Sequence, residues 1–409
     1  MNKTEQGSTL LMVIGVFLII GIVASFIFYR AESEWAATIG FEKKIRFREL
    51  AETVLNERLA LFANDNTEAY DWAEDSWFGG GRLDEERDGY QITVSIEDES
   101  SKLNLNLMSE AAFKVLLDGQ MISPDPILDW RDLDHDPRTE GAEQEYYAGL
   151  TPPSSVKDGF FASIEEIRQL RNGGDLYACL GPEVTVYGRI NPNVLQDENL
   201  IKALFLGQGF DETTAESFTQ DFLIYIKRHP DGFTKFDSDF RSNFTKYHPI
   251  ESPKKFKQMF NVTRDNQFAG IINLNMISEK SLQALFKQIF GDEQKTWITD
   301  IVKNRRPFKT IEEITQFFDS KQKNDKSNQV ALKLAKSYCT AVTTIVRYRI
   351  WVTKGTYRYY LETVDERKPS DVKGEWNVYP LAWRESINNE VPKIPEKPEL
   401  QEGQDNGGE

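Results

Sequence analysis

At 409 residues, with 40% hydrophobic and 12% aromatic content, the chain has material for two or three cores at about 100–200 residues per domain. Its formal net charge of −16 sets its own field against phosphate, which argues against a nucleic-acid partner. Two cysteines (Cys179, Cys339), three scattered histidines (His135, His229, His248) and no Ser/His/Asp, Cys/His or phosphate-loop pattern leave little for catalysis, and the expectation is a protein that is not an enzyme.

The chain opens on a stretch from Gln6 to Tyr29 that carries no charged residue. As one helix it is long enough to cross a hydrocarbon core of about 30 Å, and no other stretch approaches this, so a single span is expected. A secretory leader places its small residues after the apolar run, whereas Gly7 and Ser8 come before it. MNKTEQ and Gly7, followed by Ser8-Thr9-Leu10 and the long apolar helix, resemble the leader of type IV prepilins. The resemblance implies cleavage after Gly7 by a prepilin peptidase, with 1–7 as leader and a mature chain that keeps its apolar helix (8–29). Most pilins and pseudopilins carry a glutamate at the fifth mature position, which here is Met12. An ordinary signal anchor is the other reading of this segment.

Beyond Arg30 the pattern stays helical to about Phe62 with no proline, and Phe47, Leu50, Val54 and Leu61 mark one apolar stripe. A helix over 8–62, apolar in one half and one-sided in the other, can pack in a filament with its first half and on its own head with its second. Residues 64–89, with Gly79-Gly80-Gly81, read as a loop. Tyr90–Glu97 alternates as a half-buried strand, with Ile92, Val94 and Ile96 on one face. Its partners lie far downstream: 340–353, rich in β-branched and aromatic residues, then the Lys354-Gly355 turn, then 357–364. A last strand over 376–383 contains Pro380 and reads as an edge. The sheet is thus split between 63–102 and 336–385, and 386–409, with Pro392, Pro395, Pro398 and many glutamates, reads as a disordered tail.

The inserted residues, 103–335, carry three repeats. Leu103-Asn104-Leu105-Asn106, Ile190-Asn191-Pro192-Asn193 and Ile272-Asn273-Leu274-Asn275 each lead into an apolar helix. Phe161–Ile167 matches Phe308–Ile314, with Phe233–Phe240 as a degenerate middle copy. Ser163 with Glu166 and Thr310 with Glu313 are expected to form reciprocal capping boxes. The units resemble helix-hairpin-helix or SAM-like modules, yet the asparagine turns lack the Gly-rich, Lys/Arg-flanked hairpin that binds DNA. The asparagines are expected to tie turns by side-chain to backbone bonds.

The densest chemistry runs from Asp129-Trp130-Arg131-Asp132-Leu133-Asp134-His135-Asp136-Pro137-Arg138 to Glu140, Glu143 and Glu145. Carboxylates at 132, 134 and 136 in a proline-terminated turn can face one centre, with Glu143 or Glu145 closing it. Hard oxygens in that number suit calcium better than magnesium. The loop is no EF-hand, because Pro137 stands where that backbone needs glycine. The other readings are a solvated acidic loop with Arg131 and Arg138 pairing locally, and a carboxylate pair for glycoside chemistry that lacks any visible cleft.

DWRDLDHDPRTEGAEQEYY, then GLTPP and FFASIEEIRQL, resembles the signature region of the type II secretion protein K family, the largest minor pseudopilins. The order of parts agrees along almost the whole chain, and members of that family lack the fifth-position glutamate, as Met12 does here. The resemblance implies an α+β fold: a long N-terminal transmembrane pilin helix, a small antiparallel pilin-like sheet and a large helical insert. It also implies a single-pass inner-membrane protein with its body in the periplasm, inserted in lipid before assembly. Its expected partners are minor pseudopilins I and J and the inner-membrane secretion platform, at a filament tip that supports export. The carried-over calcium ligands are Asp132, Asp134, Asp136 and Glu143, with Glu140 and Glu145 as further candidates. A signal-anchored periplasmic calcium-dependent binding module, unprocessed at Gly7, is the rival. The pairing of Cys179 with Cys339 and the role of the tail stay open.

Overall fold

The computed structural model describes residues 3–65, 69–132, 134–188, 198, 201–202, 205, 211–228, 272–291, 294–321, 329, 331–332, 335–336, 338–369 and 376–395. Helix α1 (Lys3–Ala63) is one uninterrupted rod. From Met12 to Trp35 its side chains are exposed, and it is the one described helix long and apolar enough to cross a membrane. Gly7 and Ser8 lie inside its first turns. From Phe47 onward a stripe of Phe47, Leu50, Ala51, Val54, Leu55 and Phe62 is buried. Leu61, expected in this stripe, is 37% exposed. The loop after the helix folds back and sets Trp77 against Phe62, ring centroids 5.0 Å apart, so the helix turns that side inward.

The stripe packs on a five-stranded antiparallel sheet of β1 (Arg82–Arg87), β2 (Tyr90–Asp98), β3 (Ile345–Lys354), β4 (Tyr357–Pro369) and β5 (Trp376–Ile387), in that spatial order. Strand β1 corrects the loop expected over 64–89. It pairs with β2 from Arg82↔Ser95 to Arg87↔Tyr90 through an Asp88-Gly89 turn with both φ values positive (53° and 75°). Its charged sequence hid it, and charge suits an edge that must not recruit further strands. The register Gln91↔Thr353 to Asp98↔Val346 joins β2 to β3 across the insert. Ile92, Val94, Ile96, Tyr348, Ile350, Val352, Tyr359 and Leu361 form one core with the α1 stripe. At about 25 cal/mol per Å² of apolar area, this burial is what fixes the register, since a one-residue slip would turn every one of these side chains to the other face. Strand β5 is the expected edge and carries a bulge opposite Val364/Asp365, beside Pro380. It runs on to Ile387 and is followed by a placed segment to Pro395, which corrects a disordered tail beginning at 386.

The open face of the sheet is ionic where it meets the insert. The Arg347 Nε donates to Glu99 at 2.7 Å, and its Nη1 donates to Glu362. Lys102 Nζ donates to the same Glu99 at 3.0 Å, as does the Thr185 hydroxyl. A second joint lies at Asp71, which is buried and accepts from Thr343 N (2.6 Å), Trp77 Nε1 (3.1 Å) and Arg367. Burial raises the Asp71 carboxyl well above its ordinary range, opposed by the Arg367 charge.

Two copies of the repeat are described, and each closes on itself. Leu103-Asn104 pairs in parallel with Val184-Thr185, and Ile272-Asn273 with Cys339-Thr340. In each, the first asparagine accepts from the N–H of the second: Asn106 N to Asn104 Oδ1 (3.0 Å), and Asn275 N to Asn273 Oδ1 (2.9 Å). The second asparagine grips one distant phenylalanine by both backbone groups. Asn106 accepts from Phe161 N (2.8 Å) and donates to Phe161 O (3.0 Å); Asn275 does the same with Phe308 at 2.7 and 2.9 Å. Helices α2 (Glu110–Leu116) and α3 (Asp125–Arg131), α4 (Gln144–Ala148) and α5 (Gly173–Leu180) belong to the first copy. Helix α6 (Glu212–Arg228) lies between the copies, and α7 (Glu279–Phe290), α8 (Lys295–Asp300) and α9 (Ile311–Ser320) belong to the last. Ile190–Asn193 and Phe233–Phe240, the expected middle copy, lie outside the described residues.

The capping boxes are shifted from expectation. Thr310 Oγ1 accepts from Glu313 N at 3.3 Å, but the Glu313 carboxylate accepts from Lys309 N, one residue earlier than the box requires. Glu166 likewise accepts from Ala162 N, and Ser163 makes no capping bond, because a 3-10 turn (Ile164–Gln169) replaces the helix there. The copies cap each other. Gln288 of α7 accepts from Ser109 N (3.0 Å) and donates to Leu107 O (3.3 Å), while Glu183 of the first copy accepts from the Ser278 and Ser281 hydroxyls. Cys179 and Cys339 are separate free thiols, the latter buried.

Candidate metal centre

The acidic loop is an elaboration of the first copy. Arg131 Nη1 donates to the Met108 carbonyl (2.9 Å), as Arg306 Nη2 donates to the Ile277 carbonyl (2.8 Å) in the last copy. From Arg306 the chain reaches the gripped Phe308 within two positions, whereas from Arg131 it travels thirty to reach Phe161. The intervening excursion has its own small core, in which Trp130 packs on Tyr147 (5.4 Å) and Phe161 (6.4 Å).

Asp129, fully buried on α3, folds the excursion back. Its Oδ2 accepts from Arg138 N (3.2 Å) and Ala142 N (2.9 Å), and its Oδ1 from Arg138 Nη1 (2.6 Å). The approach requires Gly141: a Cβ there would lie 1.8 Å from Asp129 Oδ2. Asp125 Oδ2 adds a bond from Glu140 N at 3.0 Å. The consequence is that Glu143 enters α4 with its carboxylate turned inward, 5% exposed, and neither oxygen has a hydrogen-bond partner.

Asp132, Asp134 and Glu143 each bring a carboxylate oxygen within 4.8 Å of the others, and Glu143 meets Asp158 and His135 in the same way. Two oxygens bound to one calcium at 2.3–2.6 Å are separated by no more than about 5 Å, so the spacing fits such an ion. Asp132 Oδ1 and Asp158 Oδ1 are also buried without a partner. Four orphaned carboxylate oxygens, in two groups that share Glu143, would cost several kcal/mol unless protons or a cation joined them. The acidities agree. Burial first, then the charges of Asp129, Asp158, Asp132 and Asp134, push Glu143 up to about 7. Burial also raises Asp132 against the opposing Arg138, and raises Asp158 against His135. Arg138, bonded to Asp129 and Asp132, is the only guanidinium facing the cluster among the described ion pairs.

The structure therefore gathers Asp132, Asp134 and Glu143 of the expected set, and leaves the others apart. Asp136 is exposed, its N–H closing a turn on Asp134 Oδ1 (3.0 Å). Glu140 and Glu145 are exposed, the latter on the outer side of α4. Asp158 was missed. It sits at φ 48° in the Asp158-Gly159 turn, and Gly159 N donates to Trp130 O (3.1 Å), which brings the end of the excursion beside its start. The readable signal was a carboxylate in an Asp-Gly turn just ahead of Phe161.

Residues 98–189, which contain the whole excursion, match the family described as Type II secretion system (T2SS), protein K. Type II secretion system protein K of Pseudomonas aeruginosa is 26% identical over 215 residues, covering 45% of this chain and 63% of the relative. The chain thus spans less than two thirds of that relative's length. Among solved structures, a chain of the GspK-GspI-GspJ complex from the type 2 secretion system of enterotoxigenic Escherichia coli aligns at 14% identity. That alignment covers 86% of this chain and 98% of that one, with a TM-score of 0.48. The likeness to protein K is shown by the first two matches, and the family match places it over the acidic motif.

Proposed function

We propose that this chain is a minor pseudopilin of a type II secretion system, working as a structural part and not as an enzyme. The match over 98–189 carries the reading, supported by a helix ahead of it that is long and apolar enough to cross a membrane. In this reading a prepilin peptidase cuts after Gly7, residues 8–29 hold the chain in the inner membrane, and the body stands in the periplasm. The secretion platform then draws the helix from lipid into a pseudopilus whose tip it forms with minor pseudopilins I and J, in support of export across the outer membrane. Met12 fits a first subunit. Where other subunits place a glutamate to meet the amine of a neighbour already in the filament, this one makes no such bond. Mass spectrometry of the membrane fraction tests the reading: a chain beginning at an N-methylated Ser8 is expected, and an intact Met1 would refute it.

Calcium is the ion that suits the cluster, and Asp132, Asp134, Glu143 and Asp158 are the residues that would hold it. The ion supplies positive charge where four buried carboxylate oxygens lack partners. A bound ion would let these residues hold the excursion against α3 and the gripped Phe161.

A further inference from the structure

Arg138 spans two carboxylates with a single nitrogen. Its Nη1 donates to Asp129 Oδ1 at 2.6 Å and to Asp132 Oδ2 at 2.5 Å. The two acceptors are held differently. Asp129 is fully buried, and its other oxygen takes Arg138 N and Ala142 N, so it stands fixed without the guanidinium. Asp132 closes α3, and among the described residues the bond from Arg138 is the one hydrogen bond its carboxylate makes. Its Oδ1 is buried without a partner. A carboxylate free at a helix end can take several rotamers, whereas one oxygen tied by a charge-assisted bond to a fixed point settles which way the other faces.

We propose that Arg138 is a positioning residue of the acidic centre: it carries the fixed place of Asp129 over to Asp132, and so presents Asp132 Oδ1 to an ion shared with Asp134 and Glu143. The proposal rests on the calcium reading above and adds to it a residue that binds no ion itself. Groups that hold a metal-ligating carboxylate by a hydrogen bond are worth about 10–100-fold in metal affinity. The opposite role, a cation that competes for the site, is disfavoured by the arrangement. Asp129 belongs to neither carboxylate group, and at 2.6 Å its charge offsets that of Arg138, which leaves Asp132, Asp134, Glu143 and Asp158 for the ion. The turn itself does not need the guanidinium. The Arg138 and Ala142 N–H groups close it on Asp129, and Gly141 leaves room for them to do so. Substituting the side chain should therefore leave a folded chain.

The test uses the full chain in detergent as wild type, Arg138→Met, Arg138→Lys, Asp132→Ala and the double variant Arg138→Met with Asp132→Ala, each shown to melt cooperatively in EGTA. Calcium Kd is read by competition with a fluorescent chelator. The number of waters on bound terbium is read from its luminescence lifetimes in H2O and D2O. Arg138→Met should weaken calcium about 10–100-fold and let about one more water onto terbium, in the place that Asp132 Oδ1 gives up. Arg138→Lys keeps the charge and carries three donors on one nitrogen, so it should bind calcium more tightly than Arg138→Met and no more tightly than the wild type. In the Asp132→Ala background, Arg138→Met should change Kd by less than about twofold, because its effect passes through Asp132. Arg138→Met binding calcium as tightly as the wild type, an unchanged water count, the reverse order of Met and Lys, or losses that add in the double variant would each overturn the proposal alone, even where Arg138→Met lowers the melting temperature in EGTA. A wild type that binds neither calcium nor terbium would overturn the calcium reading, and this proposal with it.

Discussion

Glu143→Gln separates a metal centre from a merely acidic loop, because the substitution should move stability in opposite directions with and without calcium. Without the ion, Glu143 titrates at about 7 in place of its ordinary 4.5. A carboxyl raised by folding makes the folded state take up its proton more readily. The metal-free protein therefore gains stability as pH falls through about 7 towards 4.5, and carries the full penalty above 7. The gap corresponds to about 3 kcal/mol at most, and access of water to the loop reduces it to about 2 kcal/mol. A neutral amide in place of the carboxylate would remove that penalty, so in EGTA at pH 7.5 the variant should melt above the wild type. With calcium at a hundredfold excess over Kd the wild type gains about 2.7 kcal/mol, which the variant should largely lose, so there the order reverses. Protons compete with the ion, so the calcium gain of the wild type should fade between pH 7.5 and 5.5. Differential scanning fluorimetry of the detergent-solubilised chain reads all four conditions. A variant that melts lower in both EGTA and calcium, or a wild type that melts alike in the two, would refute the reasoning.

Asn275→Ala removes both bonds to Phe308 and a third to the Asp71 carbonyl, all buried. It should cost about 2–5 kcal/mol in the unfolding free energy read from urea titration of the detergent-solubilised chain, with Asn106→Ala close behind. Arg367→Ala takes the counter-charge from the buried Asp71 carboxyl and the donor from the Phe62 and Thr343 carbonyls, and should cost about 3–5 kcal/mol. Adding Asp71→Asn to it should recover part of that loss, and a double variant no more stable than the single one would show that the pair is not what holds this joint.

Alternation made β2 legible because a sheet with one buried face writes its period directly into Ile92, Val94 and Ile96. The same logic concealed β1, whose Asp84-Glu85-Glu86 run serves an exposed edge, with Arg87 reaching Glu57 of α1 at 2.8 Å. The paired asparagines announced side-chain to backbone bonds, but not their partners, since Asn106 and Phe161 lie in different segments. The acidic centre was half legible for a related reason. Counting alternate residues through a proline-ended turn groups 132, 134 and 136, but once Asp134 accepts from the Asp136 N–H the turn carries Asp136 outward. Asp158 enters from the far end of the excursion, and no local count reaches it.

The placement of the centre follows from the repeat. In the last copy Arg306 binds a helix-end carbonyl and the chain goes straight to the phenylalanine that Asn275 grips. In the first copy Arg131 and Asn106 keep the same two bonds while residues 132–160 are threaded between Arg131 and Phe161. The frame therefore fixes both ends of the excursion before its interior is specified, which lowers the entropy of closing it. Closure brings the ends together, and the ends are where Asp132, Asp134 and Asp158 stand, with Glu143 turned in by Asp129 and Gly141. Folding alone thus assembles a point of negative charge that Arg138 only partly offsets. An ion bound there would draw its affinity from repulsion the frame has already imposed, and losing either anchor, Arg131 or Asn106, would weaken metal binding without touching a ligand.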